Sequence, residues 1–483
     1  DTFHILSDMA FWNPAEIIGS NPRPLDYSLY RELITAHIWS AGLQPLGYQP
    51  VRGELMQKVG NKPYISVNYT FDGLTPAGLP EDLCYKLNQY YEQKLRQDKT
   101  AHDKIEFEII FNTYDFMTDT RLKELAEYGF DDVEISQLRN ALFEIAKQTL
   151  EHYDEICEED LRSLGQLTEL RHELRKHSPL AETNVMKLYS YIDELLDSIK
   201  DHGTPQFTRQ ARCAFMARSF CRTLVEKGYF TKQEMDDFML SIPTVASEFE
   251  RDFDLYSHGK LSRDDFNHLY GHLRLGTYDI RSDSYRNIYF DVASANLTGN
   301  NKVKQEAKSL DLERLQVALD EAGIPVTPEK FIEFIKKATQ NREYFKFEFT
   351  KSLSLMLDVI VKLGEVMAIA REDMSYLEIQ DLLSYPSRDS YIQTIETRRR
   401  FYHVNSYLVL PEVIFDVGDI DVIDIDEARP NFITNKVVEA PIVNLDEDHD
   451  SDITGKIVAL TKADPGYDWI FAKDIAGFVT KYG

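Results

Sequence analysis

The feature that most constrains the fold is a long stretch, from about residue 119 to residue 410, in which apolar side chains recur at helical spacing. Short runs rich in glycine or proline interrupt it: "DHGTPQF", "LYGHLRLGTYD" and "AGIPVTPEK". Apolar positions three and four residues apart form one face of a helix, and such a face is buried against a neighbour. The stretch therefore predicts a domain of packed helices, in which "PEKFIEFIKKATQNREYFKFEFTKSLSLMLDVIVKLG" forms either one long helix or two.

Mixed patterns flank the helical stretch on both sides. Before it, "KPYISVNYTF" and "KIEFEIIFNTYDF" alternate at a period of two, which predicts strands, with a helix between them at about residues 81–95. After it, the acidic run "DVGDIDVIDIDEARPNF" indicates a linker, and "KVVEAPIVNL" and "GKIVAL" are short β-rich runs. We therefore predict a mainly helical α+β protein in three parts, with boundaries at residues 1–118, 119–410 and 411–483.

Charge and composition exclude several classes of protein. The chain has 54 Lys and Arg against 81 Asp and Glu, a net charge of −27, and it has no basic stripe of the kind that binds nucleic acid. No apolar run reaches the roughly 18 residues of a membrane-spanning helix. The four cysteines form no CxxC pair and no metal-ligand spacing, which is typical of a reducing compartment. We therefore expect a cytoplasmic protein that binds neither nucleic acid nor membrane.

The densest group of reactive side chains lies in "YGHLRLGTYDI". This segment holds His272, Arg274, Tyr278 and Asp279 around two glycines. A glycine-bounded loop with imidazole, guanidinium and carboxylate groups side by side can bind an anion and orient it. The alternative is a structural loop in which the arginine and the aspartate pair locally.

A second candidate is the helical segment "TRQARCAFMARSFCR", which carries Arg212. In the same segment Arg218 and Arg222 are four residues apart, and like charges at that spacing repel by roughly 0.2–0.5 kcal/mol. An anionic ligand could lie between such cations. Glutamates from neighbouring helices would serve equally well in so acidic a chain.

A third candidate is "NREYFKFEFTK", where Arg342 and Lys346 are four residues apart among aromatic side chains. Aromatic crowding indicates burial, and a partly buried pair of cations needs a carboxylate or a phosphate. Either Glu343 or Glu348 could supply that charge from within the chain.

Glu106 and Glu108 form a weaker candidate on the second predicted strand, where they point to the same face. Paired carboxylates can exchange protons or hold Mg²⁺, but an exposed sheet face explains them equally well. The sequence has no HExxH motif, no P-loop, no G-x-G-x-x-G and no Cys/His metal pattern, so no metal-binding residue is predicted.

The final segment, "GKIVALTKADPGYDWIFAKDIAGFVTKYG", carries a resemblance to a known family. It resembles the opening of the swivelling phosphohistidine domain of phosphoenolpyruvate-utilising enzymes, which include phosphoenolpyruvate synthase, pyruvate phosphate dikinase and rifampicin phosphotransferase. The residues that match its turn and its second strand are Thr461, Asp464, Pro465, Gly466, Tyr467, Gly477, Phe478, Val479 and Thr480. In that family a Gly-Gly turn and a Ser-His pair follow, and the histidine carries the phosphoryl group. The resemblance implies a phosphohistidine beyond Gly483.

Other segments agree with this resemblance. "SDMAFWNPAEIIGSNPRPLDYSLYRELIT" is similar to the segment after the ATP-grasp domain in a subgroup encoded with surface-polysaccharide genes. "YGHLRLGTYDI" resembles the GHRGPGE-x-D loop of the central helical domain, and "REYFKFEFTKSLSLMLDVIVKLG" resembles the helix after it. The chain departs from the pattern at Leu273 and Leu275, and it has Thr277 where the synthases often have an acid. It also lacks the βα alternation of the pyruvate-handling barrel.

The resemblance implies an ATP-dependent phosphotransferase of the dikinase type. An ATP-grasp domain before Asp1 would use ATP and Mg²⁺ to phosphorylate the swivelling histidine, which would deliver the phosphoryl group to a small acceptor. The acceptor implied is L-glutamine, as in glutamine kinases that serve capsule phosphoramidate synthesis. The alternatives are pyruvate, as in phosphoenolpyruvate synthase, and a non-catalytic small-molecule-binding module.

The same resemblance assigns roles to the three parts of the chain. Residues 1–118 would follow the ATP-grasp domain, residues 119–410 would form the helical substrate-binding domain, and residues 411–483 would form a linker and the start of the swivelling domain. This chain alone is expected to be inactive and to bind no cofactor. The acceptor site is expected in the helical domain, at His272, Arg274, Tyr278, Asp279, Arg212, Arg342 and Lys346.

Overall fold

The computed structural model describes residues 4–10, 13–287, 309–408, 410–420, 434, 436–446, 451–462 and 465–482. Helices predominate and the sheets are small, which confirms the predicted mainly helical α+β class. No helix among these residues combines the length and the apolar character needed to cross a membrane. From residue 421 onward the predicted acidic linker lies outside the described residues.

The N-terminal region is mixed. Its strands are β1 (Leu6–Ser7), β2 (Met56–Val59) and β3 (Lys62–Ser66). Its α-helices are α1 (Pro14–Ile18), α2 (Pro24–Tyr30), α3 (Ile38–Leu43), α4 (Val67–Leu74), α5 (Glu81–Gln97) and α6 (Thr118–Arg121). Helix α5 covers the helix predicted at residues 81–95.

The sheet of this region takes its last strand from the far end of the helical stretch. The strand order is β2-β3-β1 followed by β4 (Val413–Ile414), and every pairing is antiparallel. Leu6 lies opposite Ser66 on one side and opposite Ile414 on the other. The chain on either side of the helical stretch is therefore joined through one sheet.

The first predicted strand, "KPYISVNYTF", is only half correct. Strand β3 ends at Ser66, and helix α4 begins at the next residue. The Ser66 hydroxyl accepts a hydrogen bond from the Tyr69 backbone N–H at 3.3 Å. A serine that caps exposed N–H groups favours the start of a helix, and this local contact overrides the alternating pattern.

The second predicted strand, "KIEFEIIFNTYDF", is wrong over its whole length, because none of these residues forms a strand. A π-helical turn spans Ile105–Ile109, and an irregular segment follows it. Glu106 is buried whereas Glu108 is exposed, so the two carboxylates do not share a face. The alternating sequence fitted a strand, but the residues buried in the turn are Ile105, Glu106 and Ile109, a spacing that belongs to a helical turn.

The middle of the chain is helical, as the periodicity predicts. Its helices are α7 (Asp132–Lys176), α8 (Val185–His202), α9 (Thr204–Glu226), α10 (Lys232–Leu240), α11 (Val245–Ser257), α12 (Arg263–Tyr270), α13 (Leu312–Ala322), α14 (Pro328–Val366), α15 (Arg371–Met374), α16 (Ile379–Leu383) and α17 (Arg388–Asn405). Helix α14 is continuous, which decides between one helix and two. It packs against α7, α8 and α9 and forms the centre of the core.

The C-terminal part contains a parallel sheet. Its strands are β5 (Ile442–Asn444), β6 (Ile457–Lys462) and β7 (Gly477–Tyr482), in that spatial order, with a 3₁₀ helix at Pro465–Ala472 between the last two. Strand β6 overlaps the predicted β-rich run "GKIVAL", and β7 contains the residues that match the second strand of the resemblance. The 3₁₀ helix packs on α11, and Trp469 contacts apolar clusters on both sides of that interface.

Candidate functional site

A cavity of about 200 Å³ lies where the helical domain meets the C-terminal β/α part. Three elements of the helical domain line it: the start of α11, the loop after α12, and the middle of α14. The β/α part closes the fourth side with Tyr467, Phe471 and Phe478. The predicted loop and the predicted helix "NREYFKFEFTK" therefore meet at one cavity.

The loop after α12 is held in a tight shape that requires its glycines. A Cβ atom at Gly271 would lie 2.4 Å from the Asn267 carbonyl oxygen, and one at Gly276 would lie 2.8 Å from the Asp279 Cβ. The backbone N–H of Tyr285 donates to the Leu273 carbonyl at 2.8 Å and closes the loop. The glycines seen in the sequence thus permit close backbone packing.

Arg274 fixes this loop to α14. Its side chain is 2% exposed, its Nε donates to the Ser354 hydroxyl at 3.0 Å, and its Nη2 donates to the Ser354 carbonyl at 3.1 Å. The Nη1 atom donates to the Ser282 carbonyl at 2.8 Å, and Asp358 forms an ion pair with the guanidinium. Arg274 lines the cavity, but its guanidinium is engaged by the protein itself.

His272 is the buried imidazole of the cavity wall. Its ring packs edge-on against Phe347, with ring centroids 4.6 Å apart, and its Nε2 atom has no hydrogen-bond partner in the described chain. Burial lowers the pKa of His272 well below its ordinary value, and nearby cations lower it further. Those cations are Lys351, Arg171, Arg286 and Arg175. The imidazole is therefore neutral at physiological pH.

Charges of both signs reach the cavity from α14. Lys346 is half-buried there, and its ammonium has no hydrogen bond or ion pair with any described residue. Glu343, three residues earlier, also lines the cavity, and its carboxylate lies 3.8 Å from Arg342 Nε. With Phe249 and Phe347 as apolar walls, the cavity offers one cation and one anion to a small ligand.

Tyr278 and Asp279 do not line the cavity. The Tyr278 ring is buried and packs edge-on against Tyr30, with centroids 5.4 Å apart. The Asp279 carboxylate accepts hydrogen bonds from the Arg281 guanidinium at 2.7 and 2.9 Å. The local pairing considered as the alternative for this loop is present, although the partner of Asp279 is Arg281 and not Arg274.

Arg212 lies away from the cavity, in a buried network with the N-terminal region. Its Nε donates to the Tyr48 hydroxyl at 3.1 Å, its Nη2 donates to the Asn112 Oδ1 atom at 2.8 Å, and its Nη1 pairs with Glu106. Burial raises the pKa of Glu106 to about 7, although Arg212 lowers it in opposition. A glutamate supplies the anion here, as the alternative for this helix anticipated.

Arg342 lies beside the cavity without lining it. Its guanidinium is 5.2 Å from the centroid of the Phe215 ring and forms the ion pair with Glu343. Arg342 and Lys346 therefore differ. The charge of Arg342 is compensated by Glu343, whereas Lys346 lines the cavity and has no partner among the described residues.

Sequence reasoning missed several residues around the site. Phe249 and Thr350 line the cavity, and the charges of Arg171 and Arg175 on α7 help to lower the pKa of His272. The two arginines are four residues apart on one helix, which is the same signal that selected Arg342 and Lys346. Among the described residues, no three His, Cys, Asp or Glu side chains come together in a way that could hold a metal ion.

Comparison with known proteins adds no assignment. No protein-family model matches the chain, and no curated protein matches it either.

Proposed function

We propose that this chain is the acceptor-binding part of an ATP-dependent phosphotransferase that phosphorylates a small molecule, with L-glutamine as the favoured acceptor. The observation that carries the proposal is the position of the cavity. It lies between the loop that resembles the family's central domain and the β/α part that resembles its phosphohistidine domain. A carrier histidine and an acceptor have to meet at such a junction.

The chemistry of phosphoryl transfer is compatible with this cavity. Transfer from a phosphohistidine needs an acceptor held in line and charge that is neutralised around the transferred group, with little covalent help from the protein. The ammonium of Lys346, which has no partner among the described residues, and the buried, neutral His272 lie on the cavity wall. ATP and Mg²⁺ would act in the ATP-grasp domain that the resemblance implies, before the phosphoryl group reaches this site.

The two charges on α14 favour an amino acid over a 2-oxo acid. A free amino acid carries a carboxylate, which Lys346 can bind, and an ammonium, which Glu343 can bind. Pyruvate carries a carboxylate but no ammonium, so Glu343 would have no cationic group of the ligand to bind. A hydrogen bond to a charged group contributes roughly 1.5–3 kcal/mol, which is about tenfold or more in affinity.

The proposal is tested by calorimetric titration of this chain with L-glutamine and with pyruvate. Lys346→Ala should weaken glutamine binding at least tenfold, and Glu343→Gln should weaken it by a similar factor. Lys336→Ala is the matched control, because Lys336 is also half-buried on α14 but does not line the cavity. The control should bind glutamine like the unaltered chain.

Two results would redirect the assignment. Binding of pyruvate without glutamine would favour the synthase alternative, in which Lys346 alone recognises the acceptor. Glutamine affinity that is unchanged in both variants would remove the cavity from the proposal. Phosphorylation of glutamine is then measured with the complete phosphotransferase, since a binding module would hold the ligand and leave it unmodified.

A further inference from the structure

The wall that helix α14 contributes to the cavity changes in character along its length. Its lining residues begin at Glu343 and end at Ser354. With a rise of about 1.5 Å per residue, they extend over roughly 16 Å of the helix axis. The charged groups of Glu343 and Lys346 lie at one end, and the hydroxyl groups of Thr350 and Ser354 lie at the other. A ligand that is held by its own charges at the first end therefore extends toward the hydroxyl groups.

Thr350 presents its side-chain oxygen to this cavity as a hydrogen-bond acceptor. The residue is buried, and its hydroxyl donates to the Phe347 carbonyl at 2.9 Å. A hydroxyl group has one proton to donate and two lone pairs that accept. Because the proton is engaged by the backbone, only the lone pairs are left for a ligand. A ligand group that meets this oxygen has to be a donor.

Ser354 lies one helical turn further along and offers the complementary group. Its oxygen accepts from Arg274 Nε at 3.0 Å, and its own proton has no acceptor in the part of the chain that the structure describes. The Nη1 and Nη2 atoms of Arg274 are engaged by the carbonyls of Ser282 and Ser354 and by Asp358. The hydroxyl end of the cavity therefore has an acceptor and a donor, whereas its guanidinium is already used by the protein.

We propose that Thr350 determines the specificity of the cavity by accepting a hydrogen bond from a side-chain amide of the ligand, so that L-glutamine is bound in preference to L-glutamate. This inference rests on the proposed function, because it takes the favoured acceptor as the ligand. An amide has N–H donors and a carbonyl acceptor, which match Thr350 and Ser354. An ionised carboxylate can only accept, so its oxygens would face the lone pairs of Thr350.

The spacing along α14 agrees with this arrangement. Thr350 follows Lys346 by four residues, which is about 6 Å along the helix axis. An α-carboxylate bound by Lys346 leaves the glutamine side chain to extend along the next turn. Phe347 lies between these two residues in the chain and lines the cavity, so it supplies an apolar surface for the methylene groups. The second carboxylate of glutamate would gain no ion pair from Arg274, whose donors are engaged.

The test is calorimetric titration of the full chain at neutral pH with L-glutamine, L-glutamate and L-norvaline, which has a methyl group in place of the amide. The unaltered chain should bind glutamine at least about tenfold more tightly than glutamate. Thr350→Val replaces the hydroxyl with a methyl group of similar size. It should weaken glutamine binding about tenfold and leave the affinity for norvaline unchanged, because norvaline makes no hydrogen bond at this position.

Two further variants separate recognition from a general effect on the helix. Thr350→Ser keeps the hydroxyl and should keep the preference for glutamine over glutamate. Thr339→Val is the matched control, because Thr339 is half-buried on α14 and donates to the Ile335 carbonyl at 2.7 Å but does not line the cavity. It should bind all three ligands like the unaltered chain. A structural disturbance at Thr350 would instead weaken norvaline as much as glutamine.

Several outcomes would overturn the inference. One is equal affinity of the unaltered chain for glutamine and glutamate, and another is a ratio of these affinities that Thr350→Val leaves unchanged. Parallel losses of glutamine and norvaline in Thr350→Val would also contradict it. Failure of the proposed function gives a different result, because the unaltered chain would then bind no glutamine at all. Glutamine binding that depends on Lys346 but not on the Thr350 hydroxyl contradicts the role of Thr350 alone.

Discussion

Arg212 and Arg274 are both buried, with 1% and 2% of their surface exposed, yet they lie in regions of different character. The Arg212 region balances one guanidinium with one carboxylate and two neutral oxygen acceptors. The Arg274 region borders a cavity, where neither the Lys346 ammonium nor the His272 Nε2 atom has a partner in the part of the chain that the structure describes. A buried arginine therefore does not by itself identify a ligand site. The identifying feature is polar groups that the protein leaves uncompensated.

The comparison also separates two kinds of energetic role. In the Arg212 region every polar contact is internal, so a substitution should change stability. Around the cavity, the groups without partners gain most from a ligand, so their substitution should change binding. The predictions below test that separation, beginning with the largest effect.

Arg212→Ala should cause the largest loss of stability. Removal of one member of a buried ion pair leaves Glu106 uncompensated, and such changes typically cost about 3–5 kcal/mol in the free energy of unfolding. Urea denaturation followed by circular dichroism measures the loss. Arg218→Ala is the control, because this arginine is exposed on the same helix and should change stability by less than about 0.5 kcal/mol.

A loss below about 1 kcal/mol in the free energy of unfolding for Arg212→Ala would contradict the contrast drawn between the Arg212 region and the cavity. It would mean that the Arg212 network is not a structural unit. Loss of glutamine affinity in a folded Arg212→Ala protein would return this residue to the acceptor site, as the sequence predicted.

His272 should make the protein less stable in acid. Its folded pKa lies well below the unfolded value of about 6.5, so below that pH the unfolded chain binds a proton that the folded chain does not. Stability therefore falls by about 1.4 kcal/mol for each pH unit below 6.5, until the folded pKa is reached. Above pH 6.5 both states are neutral and this effect vanishes.

The measurement compares unfolding free energies at pH 7.0 and pH 5.5 for the unaltered chain and for His272→Gln. The variant should lose about 1 kcal/mol less than the unaltered chain over this range. His258→Gln, at an exposed histidine of the same domain, is the matched control for the loss of an imidazole. Equal slopes for His272→Gln and the unaltered chain would show that the imidazole titrates freely and is not buried among cations.

The sequence predicted the parts of the fold whose signal is local and long. Helical periodicity sustained across α7 to α17 predicts helices for this whole stretch. The order of strand, helix and strand at residues 457–482 follows from two short strand runs on either side of a turn. It failed at "KIEFEIIFNTYDF", because alternation over a few residues also fits a π-helical turn. The contact that decides the case joins Glu106 to Arg212, which are far apart in the chain.

The candidate site was predicted in part for the same reason. The loop residues His272 and Arg274 and the helical Lys346 line one cavity. The sequence could select them because each lies in a short segment dense in charged or aromatic side chains. Phe249 and Thr350 were missed because they lie on α11 and α14, far apart in the chain, and only the packing of those helices brings both to one cavity. Whether a cation is compensated depends on such long-range neighbours, which spacing does not reveal.

Arg342→Ala should have the smallest effect. Its side chain is 43% exposed, and its ion pair with Glu343 has a separation of 3.8 Å. Exposed pairs of this kind contribute about 0–1 kcal/mol, and the contact with Phe215 adds little at an exposed site. We expect a loss of at most about 0.5 kcal/mol in the free energy of unfolding.

The effect of Arg342→Ala on ligand binding sharpens the comparison further. Removal of the guanidinium leaves the Glu343 carboxylate with less positive charge beside it, so an ammonium group in the cavity should bind equally well or slightly more tightly. Calorimetry with glutamine should therefore show less than a threefold change, against at least tenfold for Lys346→Ala. A tenfold loss for Arg342→Ala would mean that Arg342 contacts the acceptor. In that case, compensation by Glu343 would not be what distinguishes the two cations on α14.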